Sequence, residues 1–242
     1  MSAATVWLPY CGQAPAAGEW RWNLDPVLIA ALAAMAVAFA WRRRGRERAL
    51  GLAAVGVLAA GFVSPLCALS SALFAARTVH HVLLVAVAAP LLAWALPARR
   101  AGPLALATAA QAGVFWLWHA PAAYAGALSH DVVYWLMQAS LLGTALWFWV
   151  GVRRASAPAA VAHLLVAMVA MGLLGALLTF TGQPVYAPHL LTTEAWGLTA
   201  LEDQQAAGLI MWAPAAAVYL AAALLTLGRW IGPDAKAGAG AA

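Results

Sequence analysis

Charge is what this sequence has least of: of 242 residues only 9% are Asp, Glu, Lys or Arg, while 65% are hydrophobic. A water-soluble domain carries about 25% charged and roughly 45–50% apolar residues, so a soluble fold is excluded and any chemistry must sit in or beside a bilayer. Cysteine is nearly absent too, with two residues and no C-x-x-C pair. There is no Gly-rich phosphate loop, no H-E-x-x-H and no G-x-S-x-G, so an ATPase, a zinc protease, a serine hydrolase or a thiol oxidoreductase gains no support. No fixed-period repeat is present. Segments of about ten residues with alternating polarity, the mark of a transmembrane β-barrel, are also missing.

What remains is long apolar runs punctuated by arginine. A spanning helix needs about 20 apolar residues, and uncharged runs bounded by Arg, Pro or Gly fall at 26–41, 49–66, 71–96, 103–120, 131–151, 159–180 and 204–228. The expected fold is therefore all-α, a polytopic seven-transmembrane-helix bundle. Its expected divisions are an outer segment 1–25, the membrane domain 26–228 and a flexible tail 229–242, GPDAKAGAGAA at its end.

Eleven of the thirteen cations lie after the first, third, fifth and seventh runs: Arg42, Arg43, Arg44, Arg46, Arg48, Arg99, Arg100, Arg153, Arg154, Arg229 and Lys236. Only Arg21 and Arg77 fall on the other side, with six of the eight acids. The positive-inside rule then puts the amino terminus outside and the carboxyl terminus in the cytoplasm. The opening MSAATVWLPYCGQAP has neither a basic n-region nor an apolar h-region, so no cleavable signal peptide is expected and the first helix stays in place.

A polar side chain within lipid is costly and marks a functional candidate. His80 and His81 lie in the third run, His119 closes the fourth, His130 and Asp131 open the fifth, His189 sits in the following outer loop and Asp203 starts the seventh run. Met211 shares a helical face with Asp203 through Ala207. These ligand types gather toward the outer half, which reads as a site open to the outer face. Imidazole with thioether favours copper, and Met selects Cu(I). Each histidine also has a plainer reading as an interhelical hydrogen-bonding contact. Met168 and Met171 around Gly172, with Gly175 one turn on, read as small-residue helix packing. Cys11 and Cys67, both outer, can pair, bind copper or do neither. Arg77, one turn before His81, either snorkels outward, pairs with an acid such as Asp203, or holds an anionic group.

The stretches SPLCALSSALFAARTVHHVLLVAVAAPLLAWALP, WLWHAPAAY, YAPHL and DQQAAGLIMWAP resemble, over residues 60–220, the CtaG-type cytochrome c oxidase assembly family of bacterial membrane proteins. The D-Q-x-x-x-G-x-x-M-W element (Asp203, Gln204, Gly208, Met211, Trp212) and the W-H-x-P-x-x-Y element (Trp118, His119, Pro121, Tyr124) are its most specific parts. The resemblance implies a non-enzymatic factor of the bacterial inner membrane that helps insert copper into a haem–copper oxidase. Its partners would be an oxidase subunit or another copper protein, and no nucleic acid. Carried over by position, His81, His119, Met211 and Asp203 become the metal-site candidates, with His80 and His130 as substitutes. Arg77, Trp118, Tyr124, Gln204 and Trp212 become structural or partner-binding residues. Where the family pattern has an H-M-x-x-H-like element this chain has Arg77 in place of the first His, and where it has a second His in the fifth helix this chain has Tyr134. Two rival readings are a metal-free scaffold for an oxidase subunit and a haem-binding electron carrier using an axial His pair. For the latter, His81 about 15 Å below its helix end and His119 at its own would have to match in depth.

Overall fold

The computed structural model describes residues 7, 9–97 and 102–232, which are helical throughout with no strand among them. Arg99, Arg100, Lys236 and all but the first four residues of the expected tail lie outside this set. We number the helices α1 (Pro26–Arg42), α2 (Gly45–Phe62), α3 (Pro65–Ala72), α4 (Phe74–Ala95), α5 (Leu104–His119), α6 (Pro121–Ala127), α7 (Asp131–Arg154), α8 (Ala157–Phe180) and α9 (Ala200–Ile231). Four of them, α4, α7, α8 and α9, are long and apolar enough to cross a membrane, and α2 with α3 qualifies as a fifth only as a pair bent by 44°. The expected seven spans are thus not all matched by length: α1 has 17 residues and α5 has 16.

Local chemistry accounts for the helix starts. Asp25 caps α1, its Oδ1 accepting from the N–H of Val27 (2.8 Å) and Leu28 (3.2 Å), with Pro26 at the first position, where proline lacks nothing the helix needs. Tyr10 donates its hydroxyl to the same carboxylate at 2.6 Å. That bond holds the Asp25 carboxyl below the ordinary carboxylate range, and burial raises the Tyr10 phenol. Ser64 caps α3 through Leu66 N–H, and Thr199 with Glu202 forms a reciprocal capping box at α9. Between α1 and α2 the chain reverses at Gly45, whose φ of 52° suits a residue without a Cβ.

The third expected run, 71–96, does not form one helix. Leu73 is extended (φ −123°, ψ 129°), ending α3 at Ala72 and starting α4 at Phe74. Beyond the break α4 is the central helix, with 67% of its apolar window inside the protein against 28% for α9. It packs against α2, α3, α7 and the first half of α9. Both α4 and α9 contain a π-helical turn, at Leu83–Ala88 and Met211–Ala215. Each lies at a proline, Pro90 just after the first and Pro214 within the second. A proline there removes an N–H and crowds the preceding turn. In α4 the carbonyl of Val85 accepts from the Trp149 indole at 2.9 Å.

Cys11 and Cys67 form a disulfide across 56 residues of sequence, which resolves the open pairing. The bond ties the segment before α1 to α3, and the hydroxyl of Tyr134 donates to Cys11 Sγ at 3.5 Å. The small-residue seam expected around Gly175 is present: a Cβ on Gly175 would stand 2.7 Å from the Gly208 carbonyl, so α8 and α9 are in backbone contact there.

That seam leaves no room for a side chain. We expect Gly208→Val to lower stability by about 1–3 kcal/mol through overpacking, read as an earlier midpoint in an SDS unfolding titration. The neighbouring Gly172, where an added Cβ meets only Trp212 at 3.7 Å, should tolerate Ala with little change.

Candidate functional site

The break at Leu73 organises the buried polar residues. An interrupted helix inside an apolar bundle exposes orphan N–H and C=O groups, and here side chains meet both. On the amide side, the Asp203 carboxylate accepts from Phe74 N–H at 2.7 Å (Oδ2) and Ala75 N–H at 3.1 Å (Oδ1). On the carbonyl side, Ala72 O accepts from Thr192 Oγ1 at 2.6 Å and from His189 Nδ1 at 3.2 Å. Because Nδ1 faces a carbonyl it must carry the proton, so neutral His189 accepts at Nε2 from the Tyr124 hydroxyl, 2.7 Å away. The loop 181–199 is therefore a roof clamped to the break. Phe74 stacks on Tyr186 with centroids 3.8 Å apart, and the Tyr186 hydroxyl donates to His119 O at 2.8 Å. Gln204 anchors the start of the loop, accepting from Val185 N–H at 2.8 Å and donating to the Gln183 and Leu178 carbonyls.

Beneath this roof lie His80, His81 and His119, all buried. His81 and His119 meet edge to face with centroids 5.4 Å apart, and His80 stands 6.1 Å from His81. His119 Nδ1 donates to Phe115 O at 2.7 Å, which fixes the tautomer and leaves Nε2 as a free lone pair, the arrangement second-shell carbonyls give to metal-ligating histidines. That Nε2, and both ring nitrogens of His80 and of His81, have no hydrogen-bond partner. Two expectations change here. His81 and His119 do match in depth, because α4 starts at Phe74 and puts His81 only about 10 Å along its helix. The site is not open to the outer face, because α6 and the roof loop cover it. The rings touch, with Phe74 and Phe115 also packed on His119, so no slot for a haem macrocycle lies between them.

Met211 is fully buried in the π turn of α9, which packs against the start of α4. Asp203, a candidate ligand, has both oxygens engaged by backbone. His130 is exposed at the start of α7, apart from the buried histidines. Among the described residues no three His, Cys, Asp or Glu side chains gather as a metal-holding group.

Arg77 neither snorkels nor pairs with Asp203. It is fully buried in the first turn of α4, its three guanidinium nitrogens lack hydrogen-bond partners, and its Cζ lies 5.3 Å over the Tyr134 ring. Trp118 is a brace, donating to Ser140 Oγ at 2.8 Å, and Trp212 is partly exposed beside Phe180. Sequence reasoning had Tyr186 and His189 within YAPHL but not their structural weight, and it passed over Thr192. Their only signal is the clustering of Tyr, His and Thr in an otherwise polar-poor chain.

A bundle of apolar helices around a roofed, histidine-bearing interior defines a helical membrane protein. Residues 99–232, more than half of the chain, match the family described as cytochrome c oxidase caa3 assembly factor. The chain belongs to that family, and the match covers α5 to α9, including His119, Asp203 and Met211. The segment with Arg77, His80 and His81 precedes it. No curated protein and no solved structure matches the chain. Family membership implies a non-catalytic role in assembling an oxidase.

Two changes should test the clamp. Replacing Asp203 with Ala leaves two N–H groups without acceptors, and we expect a loss of about 2–4 kcal/mol, with Asp203→Asn losing less because one acceptor remains. Burial pushes the His189 imidazole down to about 3, its bond to Ala72 opposing and Arg77 adding to the shift. Since its folded value lies below the unfolded one, near 6.5, this histidine's contribution is complete above pH 6.5 and is lost as pH falls toward 3. Amide exchange in 185–199 should therefore accelerate across that window, and His189→Gln should flatten the dependence.

Proposed function

We propose that the chain serves the biogenesis of a haem–copper cytochrome c oxidase by holding a cuprous ion for insertion into an oxidase subunit, in the inner membrane of a bacterium. The observation that carries this reading is the contact between His81 and His119, with a free Nε2 on a tautomerically fixed His119 and two unpartnered nitrogens on His81. Their centroid separation is short enough for both imidazoles to reach one ion. The buried Met211 thioether, on the π turn packed against the start of α4, would complete a soft set of low coordination number, suited to Cu(I) and poor for a tetrahedral zinc site. A bound ion would supply only its own transfer. His81, His119 and Met211 hold it, Phe115 O orients His119, and the roof over His119 excludes water. Asp203 acts on the backbone of α4 and so positions His81. In this reading the helices form seven passages with the amino terminus outside. The Cys11–Cys67 disulfide supports that orientation, because such bonds persist in oxidising compartments.

A metal-free scaffold is the second reading, favoured by the buried, uncompensated Arg77 beside the histidines and by the lack of a three-donor cluster. Metal content separates the two. On the copper reading, detergent-purified protein loaded with Cu(I) under reductant retains about one ion per chain, and His81→Ala, His119→Ala and Met211→Ala each reduce it while the SDS unfolding midpoint is kept. No copper in the parent, with oxidase assembly in cells undisturbed by the three substitutions, leaves the scaffold.

A further inference from the structure

The opposite, arginine-rich end of the bundle carries two apolar grooves side by side. The larger, about 770 Å³, lies between α4, α7, α8 and α9, with Trp149 and Arg153 on one wall, Ala157 and Ala160 on the other and Ala221 with Ala222 along α9. The smaller, about 310 Å³, lies between α2 and α4 and includes Arg46, Leu50 and Leu91. Both are bounded by Pro90, Trp94 and Arg229, so one basic cluster, Arg46, Arg153 and Arg229, stands at the junction of two slots.

Among the described residues the charges there have no acidic partner. Arg153 spends its Nη1 on the Ala93 (2.6 Å) and Leu96 (3.1 Å) carbonyls at the end of α4, which satisfies the helix terminus without neutralising the cation. Glu47, next to Arg46 in sequence, is paired with Arg43 at 3.3 Å. Neither Arg46 nor Arg229 has an ion-pair or hydrogen-bond partner among the described residues. Alanines keep the larger groove smooth, and exposed Trp230 stands at its rim, where indole rings favour the headgroup level.

We propose that this end binds an acidic phospholipid, its phosphate between Arg46 and Arg229 and its acyl chains in the grooves on either side of Trp94. Unpaired cations at the mouth of an apolar slot between membrane helices match an anionic headgroup and hydrocarbon at once. A zwitterionic lipid fills the slots but gains nothing from the charges. The proposal rests on the apolar helices and is independent of the assembly reading.

The test uses the full chain in nanodiscs of phosphatidylcholine with a minor share of phosphatidylglycerol, with the lipids retained on release counted by native mass spectrometry. We expect phosphatidylglycerol to be retained preferentially, Arg46→Gln/Arg229→Gln to weaken that preference roughly 30-fold, and Ala221→Leu, which narrows the groove without touching charge, to lower the retention of both lipids. Unfolding midpoints confirm that both variants fold. Equal retention of the two lipids, or a preference unchanged in the arginine variant, overturns the site. A preference lost with the arginines, with the retention of both lipids untouched by Ala221→Leu, overturns the placement of the chains.

Discussion

The fold depends on one carboxylate set against one broken helix. An extended residue at Leu73 opens the backbone in the middle of an apolar run, and in hydrocarbon such a gap persists only if its groups are met by protein. Asp203, 129 residues away from Phe74 in sequence, meets the amides. A negative charge at the first turn of α4 also faces the positive end of that helix's dipole. One interaction thus fixes the register between α4 and α9. The other half of the gap fixes the roof, since Ala72 O holds His189 and Thr192 and His189 holds Tyr124. The site and its cover are two consequences of the same discontinuity.

Closing the gap with backbone-directed side chains has an electrostatic consequence. Among the described residues Asp203 is the one buried acid, and its oxygens face amides rather than Arg77. The guanidinium is left beside the buried imidazoles, with its Cζ over the face of Tyr134. Removing a buried charge's partner is normally expensive. Tyr134 joins the cluster to the disulfide, its ring under Arg77 and its hydroxyl on Cys11 Sγ.

The helices were legible because burial in lipid imposes a length and a composition that any residue order must satisfy. The boundaries at Pro26, Asp131 and Phe180 could be read from proline, charge and a polar turn. The break at Leu73 could not. Ser70, Ser71, Ala72 and Leu73 carry no proline or glycine, and the interruption is stabilised from the far end of the chain. The candidate residues were legible as a set, because polar groups in an apolar chain are few. Their roles were not, since Asp203 looks the same in sequence as a ligand and as a cap. His130 and His119 both sit at helix ends, and only the loop that folds over one of them makes it buried.

On the proposed reading, Arg77 decides what the histidines can hold. It lies four residues before His81, and helix neighbours at that spacing stand about 6 Å apart. At an effective dielectric constant of about 20, a unit charge at His81 is then opposed by roughly 3 kcal/mol, about two powers of ten in affinity. A divalent ion meets twice that opposition, so the guanidinium discriminates for Cu(I) over Cu(II) and Zn(II) independently of ligand softness. It also weakens the site for the ion it admits. For a storage protein that would be a defect, but a factor that must release its ion needs an affinity below that of the receiving subunit. A buried cation beside two free imidazoles sets such a limit while the donor set stays intact.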